Sequence, residues 1–277
     1  MSRRSPSRLG PAACCCLLVA MCLSGCPHPR LRLDPSKRIG NPHDLLAAVR
    51  QAGAAVKSLR AGGTIVMRQG SKRLKAHVLV LLRRPAFLRF ETESFFDQPL
   101  SILVTDGMHF SIWDMDHGRF YRGPATPANI ARAIPIPMDA TEVVGLLAGD
   151  PPLIVYAKSE LEWQESGRYL LTLSNSRERQ QISIDPLLLR PTRIICRQAG
   201  RLYYDLVYED FDSATRLPRK INFEMPGQDI KLRLRLRELE VNPSLADDLF
   251  VLTPPSGVPI EQLDSEPAPA SGQPGRE

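Results

Sequence analysis

A mainly β domain (α+β), built as one strongly curved antiparallel sheet or incomplete barrel of about eleven strands with helices covering its concave side, is predicted by three observations. Apolar residues through the body recur with a period of two, as in Ile221, Phe223 and Met225 against Lys220, Asn222 and Glu224. Turn signals punctuate these runs at short intervals, at Gly62-Gly63, Gly70-Ser71, Asp106-Gly107, His117-Gly118, Ser166-Gly167, Ala199-Gly200 and Pro226-Gly227. Helical spacing, by contrast, is confined to a few short stretches that carry their own caps.

In chain order, Arg3, Arg4 and Arg8 precede an apolar run over 12–23 that is too short to cross a bilayer as a helix, and Leu23-Ser24-Gly25-Cys26 closes it. That is the layout of a secretory signal over 1–25, and its last four residues resemble the bacterial lipobox. The resemblance implies that Cys26 becomes the first residue and carries three acyl chains. Two or more chains hold a protein stably to a bilayer, so the predicted partner at this end is the membrane itself. Pro27 follows the cysteine where inner-membrane retention uses aspartate, which points to the periplasmic face of the outer membrane. Residues 26–40, Pro-containing and with little to bury, read as a lipid-anchored tether.

The folded body is predicted over 41–252. Asn41 caps a helix with Pro42 at its first position, and Leu45, Val49, Ala52, Val56 and Leu59 give it one apolar stripe. About five strands follow, then a short helix opened by Thr126-Pro127 and a second one opened by Asp139 with Glu142 three residues on, a capping box. Gly149 and Pro151-Pro152 stop that helix. About six more strands end the body. The clearest is 230–237, where Ile230, Leu232, Leu234 and Leu236 alternate with Lys231, Arg233, Arg235 and Arg237. From 253 to 277 the chain is rich in Pro, Gly, Ser and Glu and reads as a disordered tail.

Charge and cysteine usage narrow the function. The 277-residue chain has a formal charge of +6, and removal of Arg3, Arg4 and Arg8 leaves +3, which is no nucleic-acid footprint. Cys14, Cys15, Cys16 and Cys22 leave with the signal and Cys26 is acylated, so Cys196 has no disulfide partner and reads as a buried small hydrophobe. His28, His43, His77, His109 and His117 show no metal-ligand spacing, and the cluster Asp114-Met115-Asp116-His117-Gly118 is turn chemistry. No nucleophile elbow, phosphate loop or paired carboxylates are present. Neither catalysis, nor a metal, nor a cofactor is expected.

The stretch 87–106, the segments Pro135-Ile136-Pro137-Met138 and Val144-Gly145-Leu146-Leu147-Ala148-Gly149, and the run 208–237 together resemble the LolA/LolB lipoprotein-localisation family, its lipid-anchored member most closely. The resemblance implies an incomplete barrel closed by helices, with an apolar cavity that receives acyl chains of lipoproteins or lipids, and a soluble carrier of the same fold as a partner. Val78, Val80 and Leu82, Leu88 and Phe90, Ile102 and Val104, Phe110 and Ile112, with Leu146 and Leu147 from the covering helix, are the predicted lining. The same residues serve equally as a filled core. Ser94-Phe95-Phe96-Asp97 breaks the alternation between two strands, and by resemblance Phe95 and Phe96 form a membrane-insertion loop. The stripe Lys231 to Arg237 is either solvated charge or a surface for an anionic partner. The competing reading is an envelope assembly or sensing lipoprotein that keeps the fold without carrying lipid.

Overall fold

Residues 58–69 and 230–241 pair at the middle of one sheet, in a computed structural model that describes residues 33–263. Cys26, the signal and the last part of the tail lie outside the described residues. Helix α1 (Pro42–Ala54) begins where the Asn41 side chain accepts from the His43 amide, and it buries Leu45, Leu46 and Val49. It ends before Val56 and Leu59, which are buried beyond the helix. Leu59 already belongs to the first strand.

Six strands run consecutively as antiparallel hairpins: β1 (Ser58–Gln69), β2 (Lys72–Arg83), β3 (Phe87–Glu93), β4 (Pro99–Thr105), β5 (His109–Asp114) and β6 (Arg119–Pro124). Helices α2 (Pro127–Ile130) and α3 (Ala140–Leu147) follow, capped by Thr126 and by the Asp139–Glu142 box as predicted. A second meander then comprises β7 (Lys158–Trp163), β8 (Tyr169–Ser174), β9 (Glu178–Asp185), β10 (Arg190–Gln198), β11 (Arg201–Phe211), β12 (Pro218–Met225) and β13 (Ile230–Val241). β1 pairs antiparallel with β13, which fuses the two meanders into one sheet. The last strand, β14 (Ile260–Gln262), joins the edge of β6 in parallel and makes the sheet mixed.

The sheet has fourteen strands, three more than the turn signals separate. Turns led by residues other than glycine account for part of the difference: Leu189 (φ 52°) and Arg216 (φ 58°) occupy the left-handed region between strands. Gly62-Gly63, read as a turn, instead lies inside β1, opposite a bulge in β13 at Arg237. A Cβ on Gly63 would stand 2.1 Å from the Arg235 carbonyl oxygen, so only glycine lets the two backbones approach there.

The sheet is open and strongly bent. β3 and β11 are five strand steps apart, ~24 Å if flat, while α3 is ~12 Å long. Yet α3 lies against β3 and also accepts, at the Leu146 carbonyl, a 2.8 Å hydrogen bond from Tyr208 of β11. The inner face is one apolar surface, aligned by the pairings Val80↔Phe90, Ile65↔Leu234, Leu234↔Ile221 and Ile194↔Ile182.

Two segments expected to be loose are packed. Ile39 donates its amide to the Tyr169 hydroxyl at 2.8 Å, and the Arg38 guanidinium stacks 4.0 Å from the Trp163 ring. After β13 the chain runs across the outer face of β2 and β3, where Leu245 and Phe250 bury against Leu81. Arg83 and Arg89 donate to the Leu245 and Leu249 carbonyls at 3.1 and 3.0 Å and hold this strap in place. The tail predicted from 253 onward therefore stays ordered through β14, with Leu263 donating to the Arg122 carbonyl at 2.7 Å.

Candidate functional site: clefts at the hairpin end of the sheet

The β1–β2, β3–β4 and β5–β6 hairpins turn at the same end of the sheet as the β12–β13 turn, where Gly70 donates to the Asp229 carbonyl at 3.1 Å. At this end the inner face opens into a cleft of about 440 Å³. Its floor is apolar, made by Met67, Leu74, Leu100, Ile112, Tyr121 and Ala133, and its rim carries Asp114, Asp116, His117 and Arg132. Met67 and Leu74 are directly opposed across the β1–β2 hairpin. Thr92 and Ser101 spend their hydroxyls on each other at 2.8 Å. His117 Nδ1 stands 3.0 Å from Asp114 Oδ2 and 4.0 Å from Asp116. An apolar floor under a zwitterionic rim matches an amphiphile: the tail is removed from water while the head stays at the edge.

A second cleft of about 300 Å³ includes Met138, Leu153, Ile154, Cys196, Tyr203 and Met225. Gln180, fully buried, ties its wall together by donating to the Pro152 carbonyl (3.0 Å) and the Tyr204 hydroxyl (2.9 Å). Burial, reinforced by Glu178, pushes the Cys196 thiol up to about 11, and burial likewise raises Tyr204. A thiol held protonated at neutral pH is a poor nucleophile. Burial also lifts the Glu142 carboxyl above its ordinary range, against the opposing hydrogen bond from the Asp139 amide. Among the described residues no three His, Cys, Asp or Glu side chains gather as metal ligands.

Most of the predicted lining is core. Val78, Val80, Leu82, Leu88, Phe90, Phe110, Leu146 and Leu147 are all buried, from 0 to 6 % exposed, within one cluster, and none of them borders the cleft. Ile112 belongs to both the core and the cleft. The register expected for Ile102 and Val104 is wrong. They oppose Glu91 and Arg89 on the outer face, while Leu103 pairs with Phe90 on the inner one. The reason is that the outward residues, Ile102 and Val104, are more apolar than inward Ser101, Leu103 and Thr105, because the outer face is covered here as well: Val104 is buried beside strap residues Phe250 and Val251. Phe95 and Phe96 sit in the β3–β4 loop; Phe96 is 87 % exposed, whereas Phe95 packs 4.4 Å from the His77 ring. The sequence reading missed Met67, Leu74, Tyr121, Arg132 and Ala133. The turn at Gly70-Ser71 already places Met67 across from Leu74, and that signal was available.

No family model and no curated protein matches this chain in sequence. Among solved structures, it is similar to a DUF1329 family protein from Desulfovibrio piger, at 12% identity and a TM-score of 0.52 over 76% of this chain and 95% of that one. It is also similar to a LolA superfamily protein from Nitrosomonas europaea, at 13% identity and a TM-score of 0.50 over 75% of this chain and 97% of that one. At these identities the likeness concerns architecture, and the architecture is LolA/LolB-like.

Proposed function

We propose that this chain is an envelope protein, anchored by acyl chains on Cys26 to the periplasmic face of the outer membrane, that takes an acyl chain of a lipoprotein or lipid into the cleft at the hairpin end and passes it to the bilayer. The observation that carries this reading is the position of the 440 Å³ apolar cleft at the end of the sheet that also bears the exposed Phe96. Burying a chain of about fifteen methylenes withdraws ~12 kcal/mol of apolar surface free energy from water. Only a receptor with an apolar floor can exchange such a chain with a membrane. Because the interior beneath α3 is filled, the passenger sits at the rim between β1–β6 and the segment after α2. Helices α1 and α3 cover the concave side, α3 against β3 and α1 against β7 and β10. A soluble carrier of the same fold is the natural donor.

A second reading, an assembly or sensing lipoprotein with a closed core, is favoured by the complete burial of Leu82, Leu88 and Phe110. Titration of the purified full-length chain with a fluorescent long-chain fatty acid separates the two. The carrier reading predicts saturable binding, weakened at least about tenfold by Ala133→Trp, which fills the cleft, and unchanged by Val155→Trp at the second one. Absence of saturable binding, or indifference to Ala133→Trp, leaves the assembly reading.

A further inference from the structure

The outer face of the sheet carries a row of cations with no structural reason to be together. Arg73 of β2 stands directly opposite Arg68 of β1, and Arg68 directly opposite Lys231 of β13. One pair further in, Lys75 and Arg233 flank Val66 in the same way. Like charges opposed across a ladder destabilise it. Glu224 pairs with Lys231 at 3.2 Å, but among the described residues Arg68, Arg73 and Arg233 form no ion pair. Together with Val66 and Lys231, these three arginines line a shallow cleft of about 260 Å³. A local conflict of this kind is retained where something outside the chain resolves it.

The neighbouring loop says what that is. Phe95 lies against the same outer face, 4.4 Å from the His77 ring and 4.6 Å from the Lys75 ammonium, and Phe96 projects beyond it almost fully exposed. We propose that the cleft between Arg68, Arg73 and Arg233 seats the phosphate headgroup of an anionic phospholipid while Phe95 and Phe96 enter the adjoining bilayer surface. A free phosphate would need the cations but not the rings. A bilayer uses both, since basic residues hold anionic headgroups and aromatic rings settle at the headgroup level. This inference rests on the reading that the protein works at a membrane and adds which lipid it meets and through which face. The hairpin end is thereby pressed to the bilayer, with the acyl cleft opening on the opposite face of the same strands.

The test is flotation of the full-length chain carrying Cys26→Ser, so that no acyl anchor masks the contact, with vesicles of phosphatidylcholine alone or with added phosphatidylglycerol. Combined Arg68→Gln, Arg73→Gln and Arg233→Gln should cost about 100-fold in partitioning onto the anionic vesicles at low salt. Binding to phosphatidylcholine and fatty-acid uptake should both be unchanged. Phe95→Ser with Phe96→Ser should weaken partitioning onto both vesicle types. Equal binding of wild type and the arginine variant to anionic vesicles overturns the proposal, as does displacement by inorganic phosphate at constant ionic strength, which would mark a free-anion site. Charge-dependent partitioning without fatty-acid uptake would uphold this face and defeat only the cleft reading. Uptake without charge dependence would do the reverse.

Discussion

Strands β12 and β13 bury one face, whereas β2 to β4 are covered on both over the end away from their hairpin turns, and the difference decides what a sequence can reveal. In β13, buried Ile230, Leu232, Leu234 and Leu236 alternate strictly with exposed cations. In β2, Leu81 is buried between inward-facing Val80 and Leu82, because the strap brings Leu245 and Phe250 onto it from outside. A strand that is wet on one side writes its register into its residues, and one enclosed on both sides does not. The strap thus makes a three-layer arrangement over the end of these strands away from the hairpin turns, and leaves the outer face at the hairpin end, with Arg73 and Lys75, open.

The contrast can be broken most sharply at Phe250, 4 % exposed and edge-on to Phe87 at 5.4 Å. Phe250→Ala should lower the unfolding free energy by about 3 kcal/mol in urea denaturation. On the uncovered side, Arg235→Thr should shift it by no more than ~0.5 kcal/mol, since that side chain faces water and makes no ion pair among the described residues. Equal effects at the two positions would remove the asymmetry. A smaller effect sharpens it in the turn between β11 and β12, where Asp212 accepts from the Thr215 amide and hydroxyl at 2.7 and 2.9 Å. These bonds, together with Arg219, hold its carboxyl at about 2 against an ordinary 3.8. A depressed carboxylate contributes stability that is present above the unfolded value and is lost as pH falls through the folded one. The deficit of Asp212→Asn against wild type should therefore be full at neutral pH and shrink between pH 3.8 and about 2, as thermal melts would record.

The same rule explains how much was legible. The caps at Asn41, Thr126 and Asp139 are local chemistry, and all three helices start where they predict. Helix α1 ends early because Val56 and Leu59 face the same core as its stripe, and periodicity cannot tell a helix end from the strand that continues beneath it. Ile102 and Val104 were misplaced because the strap that buries Val104 comes from residues about 150 positions away, which no local pattern encodes. The β1–β13 pairing is equally remote, and it includes a β13 bulge opposite Gly62-Gly63. The site itself was half visible. Phe95 and Phe96 announced themselves by breaking an alternation, while the cleft depends on Arg132 and Ala133, from the chain after α2, meeting Met67 and Leu74.

The central claim is that an acyl chain lies against Met67, Leu74, Ile112 and Tyr121. Photo-crosslinking of the full-length chain with a diazirine-bearing long-chain fatty acid, followed by peptide mapping, tests it directly. The account predicts saturable labelling concentrated on β1, β2, β5 and β6 at the hairpin end and lost in Ala133→Trp. Labelling confined to the Met138–Tyr203 cleft, or scattered without saturation, would contradict it.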